Sequence, residues 1–122
     1  MKRILLIDDE IRLRDNTAEI LELNGYMIIK AQDGIEGFVK AMDVLPDLIL
    51  CDVMMPNCDG YDFLVRIKKS HLSHIPVILL TARTEIEDET PGIALGANEY
   101  ITKPFEISEV ISSIEAILNK DS

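Results

Sequence analysis

Residues 48–60 read LILCDVMMPNCDG: an apolar run, an aspartate, then a stretch broken by Pro56 and Gly60. A short continuous apolar run bounded by turn residues is the pattern of a strand buried on both faces. Asp52 closes that run. An ionised carboxylate is costly to bury without a partner. It therefore either caps its strand at the surface or meets other charged groups there, and the flanking sequence decides which.

The same rhythm extends in both directions. Upstream, RILLID (3–8) is another apolar run ending in acid, and residues 10–24 carry Leu13, Thr17, Ile20 and Leu21 at helical spacing before Gly25. YMIIKA (26–31) predicts the second strand. DGIEGFVKAM (33–42) predicts a helix with Asp33 as N-cap and Ile35, Phe38 and Met42 inward, weakened by Gly34 and Gly37. Pro46 introduces the third strand, DLILCD (47–52).

Downstream, residues 61–70 predict a helix burying Phe63, Leu64 and Ile67, PVILLT (76–81) a fourth strand, and EYITK (99–103) a short fifth strand at a sheet edge. Ile107, Val110, Ile111, Ile114, Ile117 and Leu118 mark the last helix. Between Thr81 and Gly96 a further helix is expected to start late, near Asp88 or Thr90, and to run to about Leu95. Pro91 is tolerated only in a first turn, and Gly92 weakens so short a helix further. The acid run EIEDE (85–89) reads as a solvated face, and residues 84–88 are then expected to form an acidic, mobile loop. Five strands alternating with five helices, without linker or repeat, predict one domain over 1–122: a parallel sheet in a three-layer α/β sandwich.

Composition removes several function classes. The net charge of −10 disfavours direct nucleic-acid binding and an anionic membrane surface. No apolar run approaches the ~18 residues of a membrane span. MKRILLIDDE turns acidic too soon for a secretory signal, so a cytoplasmic location is expected. Cys51 and Cys58 lack the companions of a metal site and read as reduced thiols. His71 and His74, in KKSHLSHIP, read as solvated loop residues.

In an open parallel sheet, ligands bind beyond the carboxyl ends of the strands, where strand order reverses. Those ends carry Asp8, Asp9 and Glu10 on strand one, Asp52 on strand three, Thr81 on strand four, and Lys103-Pro104 on strand five. With order 2-1-3-4-5, Asp8, Asp9 and Asp52 converge, and Thr81 and Lys103 close the other side. Clustered carboxylates raise one another's pKa, and a hard dication relieves the repulsion. An all-oxygen set selects Mg²⁺ or Mn²⁺ over Zn²⁺. A carboxylate nucleophile beside such an ion, a lysine and a threonine hydroxyl suits phosphoryl transfer onto aspartate.

These residues reach a family. LIDDE, LILCDVMMPNCDG, PVILLTAR and GANEYITKPF, in this order from about Arg3 to Leu118, resemble the receiver domain of bacterial two-component response regulators. The resemblance implies a flavodoxin-like fold of order 2-1-3-4-5. It implies that Asp52 is the phosphoacceptor for a sensor histidine kinase or phosphotransfer protein. It makes Asp9 a direct Mg²⁺ ligand, Asp8 a ligand through water, and Asp52 and the Met54 carbonyl the rest of the protein's share. Lys103 and the Ala82 N–H then contact the phosphoryl oxygens, Thr81 is the switch hydroxyl and Tyr100 the aromatic that turns inward behind it. Lys103-Pro104 matches the family's cis peptide. The face of the fourth helix, fifth strand and last helix is expected to change on phosphorylation and to offer a surface for self-association.

Other functions share part of this pattern. An Mg²⁺-dependent aspartyl-phosphate phosphohydrolase is expected to place a second acid two residues after its nucleophile, where this chain has Met54. A flavin-binding domain needs a phosphate-cradling loop after strand one, and DDEIR repels phosphate. A degenerate receiver acting only as an interaction module does not need the intact acids, Thr81 and Lys103. The expected function is a phosphorylatable signalling switch with no activity beyond its own phosphorylation and dephosphorylation.

Overall fold

The structure, a computed structural model, describes residues 1–55, 59–82 and 96–119. Its strands are β1 (Arg3–Ile7), β2 (Met27–Ala31), β3 (Leu48–Asp52), β4 (Val77–Ala82) and β5 (Glu99–Lys103). Its helices are α1 (Ile11–Leu23), α2 (Gly34–Val44), α3 (Gly60–Lys68) and α4 (Ile107–Leu118). All strand pairings are parallel, in the order β2-β1-β3-β4-β5. The central strands β1 and β3 pair Ile4 with Leu48 through to Ile7 with Cys51.

The continuous apolar runs are explained by what lies on each face. Successive side chains of a strand point to opposite sides of the sheet. Leu5, Ile7, Ile49, Cys51, Val77 and Leu79 meet Ala41 of α2 and Phe63, Leu64 and Ile67 of α3. Ile4, Leu6, Leu48, Leu50, Ile78 and Leu80 meet Ala18 and Leu21 of α1 and Val110 and Ile114 of α4. The result is helix, sheet, helix, with two apolar cores. Cys51 is buried in the core, and His71 and His74 are exposed.

The expected helix count is corrected: the described residues hold four helices rather than five. The expected fifth falls in 88–95, and that interval, its late start, the acid run 85–89 and the loop 84–88 all lie outside the described residues. The four helices found carry an apolar face at helical spacing, and α2 and α3 are capped by Asp33 and Asp59, which accept from the N–H groups of Glu36 and Asp62.

Two expectations within helices also change. Ile35, expected inward on α2, is 50% exposed, because the buried face is Gly34, Gly37 and Ala41, with Phe38 and Met42 flanking it. A Cβ on Gly37 would run into the end of the Ile7 side chain. The helix lies that close to β1, so the glycine's low propensity is offset by close packing. On α1 the buried residues are Thr17, Ala18 and Leu21, while Ile20 lies at the margin, 37% exposed.

Candidate functional site

β1 and β3 lie side by side in the sheet, so their carboxyl ends deliver Asp8, Asp9 and Asp52 to one place. Ligating oxygens of the three lie within 4.8 Å of one another. Asp8 and Asp52 are buried, at 1% and 5% exposure, whereas Asp9 faces solvent. From the far edge of the sheet, β5 brings Lys103, whose Nζ stands 3.1 Å from Asp8 Oδ2 and 3.1 Å from Asp52 Oδ2. The Lys103–Pro104 peptide is cis.

The backbone holds this cluster from several sides. The Glu10 N–H donates to Asp8 Oδ1 at 2.9 Å, and Arg14 Nη1 donates to the Asp8 carbonyl at 3.0 Å. The Met54 N–H approaches Asp52 Oδ1 at 3.3 Å, while the Met54 side chain is 61% exposed and Met55 packs into the core. The start of α3 lies against the end of β3, where the Gly60 N–H donates to the Val53 carbonyl at 2.8 Å. A Cβ on Gly60 would stand 2.6 Å from the Asp52 carbonyl oxygen and 2.8 Å from Val53 Cα. Only glycine lets α3 begin this close to the acidic strand end.

Burial pushes the Asp52 pKa up to about 6; Lys103 pulls it down, Asp8 pushes it up again, and the upward effects win. Burial would by itself lower the Lys103 pKa, but Asp52 and Asp8 outweigh it and the lysine is held more firmly protonated. Among the described residues, three carboxylates thus converge where one lysine ammonium pairs with two of them. The uncompensated charge, the all-oxygen donor set and the spacing of the three acids fit a divalent cation of the Mg²⁺ type.

Other singled-out residues lie on β4 and β5. Thr81 is buried near the end of β4, and Ala82 is the last residue of that strand. Tyr100 is half-buried on β5, on the side facing α3, and its hydroxyl meets that of Tyr61 at 3.2 Å. Three contributors were not singled out from sequence: Arg14, Gly60 and Tyr61. The CDG turn before a helix was a usable signal for Gly60. Arg14 and Tyr61 act through contacts across six and 39 positions of chain, which no local pattern displays.

A family model described as the response regulator receiver domain matches residues 4–115. The chain is 39% identical over 121 residues to the DNA-binding dual master transcriptional regulator RpaA of Synechocystis, covering 98% of this chain and 50% of that protein. It is 38% identical over 122 residues to the phosphate regulon transcriptional regulatory protein PhoB of Escherichia coli, covering 99% and 53%. It thus spans about half the length of these curated relatives. Among solved structures, Vibrio cholerae chemotaxis protein CheY4 superposes with a TM-score of 0.90 at 31% identity, covering 97% of this chain and 99% of that one. The signal receiver domain of a signal transduction histidine kinase from Syntrophus aciditrophicus gives a TM-score of 0.91 at 32% identity, covering 98% and 92%. With matching motifs, sheet order and acidic strand ends, the chain belongs to the response regulator receiver domain family, phosphoacceptor signalling domains whose chemistry is confined to their own aspartyl phosphorylation and dephosphorylation.

Proposed function

We propose that Asp52 is the phosphoacceptor of this receiver and that its donor is the phosphohistidine of a sensor histidine kinase or phosphotransfer protein. A carboxylate oxygen of Asp52 attacks phosphorus, the P–N bond breaks, and its electron pair returns to the donor's imidazole. The reading is carried by one observation: Lys103 Nζ lies 3.1 Å from both Asp8 and Asp52, opposite a set of three convergent carboxylates. Asp8, Asp9, Asp52 and the Met54 carbonyl would hold Mg²⁺, with Mn²⁺ as a substitute. The bound ion would neutralise charge on the phosphoryl oxygens and on the acids themselves.

The chain's own residues do the remaining work. Lys103 binds a phosphoryl oxygen, and preorganised charge of this kind acts where charge develops in transfer. The Ala82 N–H donates to another oxygen. Thr81 turns its hydroxyl toward the phosphoryl group, and Tyr100 rests inward behind it in the phosphorylated state. The exposed apolar Met54 offers no acid to promote hydrolysis, which favours a switch over a phosphohydrolase. The 1–122 chain acts as a single receiver unit in the cytoplasm, where its kinase's phosphohistidine is presented, and β5 and α4 carry the signal to the next partner or to a second copy. No helix among the described residues is long and apolar enough to cross a membrane.

The test is phosphorylation by acetyl phosphate or phosphoramidate with Mg²⁺, followed by mass spectrometry. One hydroxylamine-sensitive phosphoryl group is expected on wild type and none on Asp52→Asn. Undiminished incorporation in the variant would remove Asp52 from its role.

A further inference from the structure

We infer that Tyr61 is a positioning residue for the switch. Its hydroxyl holds Tyr100 against the core between the sheet and α3, the arrangement that phosphoryl binding would draw on, and ties the start of α3 to the edge strand β5. This rests on the reading of Asp52 as phosphoacceptor and Tyr100 as the switch aromatic.

The contacts form an unbroken series. Gly60 is held to the backbone of residues 52 and 53 by its N–H bond to Val53 and by an approach that leaves no room for a Cβ. Tyr61, the next residue, therefore has a fixed origin relative to the phosphoacceptor. Its ring packs on the core between the sheet and α3, the same core that takes Cys51, Val53 and Met55 on either side of Asp52. Tyr100 packs on that core from β5, paired in register with Leu79, and the two hydroxyls meet at 3.2 Å.

A half-buried hydroxyl pair holds a ring more narrowly than packing alone, because rotating either ring leaves polar groups to be satisfied elsewhere. Movement of the backbone at Asp52–Val53 is thus passed to Tyr100 through Gly60 and Tyr61. Tyr61→Phe keeps the ring and its packing and removes only the hydroxyl.

The experiment is a calorimetric titration of beryllofluoride, with saturating Mg²⁺, into wild type, Tyr61→Phe, Tyr100→Phe and the double variant, with thermal unfolding of all four. Tyr61→Phe is expected to weaken binding by about two- to tenfold, the range of one hydrogen bond. It is expected to add nothing in the Tyr100→Phe background. A residue that serves only packing would leave Tyr61→Phe at wild-type affinity, and a hydroxyl acting apart from Tyr100 would shift both backgrounds equally; either result overturns the inference. Failure of wild type itself to bind the mimic removes the phosphoacceptor reading beneath it, and the seat with it.

Discussion

The middle and the carboxyl end of the same two strands are built on opposite terms. From Ile4 to Ile7 and from Leu48 to Cys51, β1 and β3 bury apolar side chains on both faces, together with the Cys51 thiol, which donates to the Asp52 carbonyl at 3.3 Å. One residue further along each strand, Asp8 and Asp52 bury carboxylates with one lysine between them. Burial in the middle stabilises the fold. Burial at the end costs stability and leaves a charge imbalance that a cation or a phosphoryl group can use. The core is therefore the scaffold for a deliberately unfavourable rim.

The largest effect expected from this contrast is in the middle. Leu50→Ala empties a fully buried position between β3 and the α1–α4 layer and should cost about 2–5 kcal/mol in denaturant unfolding. A cost under about 1 kcal/mol would mean that the core collapses around the gap and is not the scaffold described.

At the junction of the two regions, Gly60→Ala should destabilise by about 1–3 kcal/mol, because its Cβ meets backbone rather than a movable side chain. Phosphorylation of Asp52 should slow with it. Wild-type stability and rate in this variant would mean that α3 can shift without disturbing Asp52.

At the rim the sign reverses. Asp52 binds its proton up to about pH 6 in the folded protein, whereas the unfolded value is 3.8. Between those values the folded state holds more protons. The stability from this group is fully present below pH 3.8 and is lost as pH rises through about 6. In metal-free buffer, Asp52→Asn should therefore match wild type near pH 4 and become more stable, by on the order of 1–3 kcal/mol, above pH 7. A difference that does not change with pH would contradict the raised pKa.

The smallest effect belongs to exposed Asp9. Asp9→Asn should stabilise the metal-free protein by less than about 1 kcal/mol, since solvent screens its repulsion. Millimolar Mg²⁺ should raise the melting temperature of wild type, and most of that rise should be absent in Asp9→Asn. Equal stabilisation of both proteins would place the cation elsewhere.

The elements were legible where a pattern is local. β1 and β3 are apolar runs, α4 repeats isoleucine at helical spacing, and Asp33 caps α2 as its position before the helix suggests. Ile35 departs from expectation because apolarity alone marked it inward, while the face that fits against β1 is the one with Gly37, where the Ile7 side chain leaves no room for a Cβ. The expected helix before Gly96 lies outside the described residues, which hold four helices.

The convergence of Asp8, Asp9, Asp52 and Lys103 was legible in the sequence because a parallel sheet gathers its strand ends on one edge, so chain order and strand order together decide which charged groups become neighbours. Sequence also determined the charge imbalance, since three acids against one lysine is a matter of composition. Only the tertiary structure decided that Asp8 and Asp52 are buried while Asp9 is not, that Lys103 stands equally close to both buried acids, and that Tyr61 reaches Tyr100. Those outcomes depend on how far each element advances over its neighbour, and that is set by side-chain volume and backbone approach summed over both cores, which no stretch of sequence contains by itself.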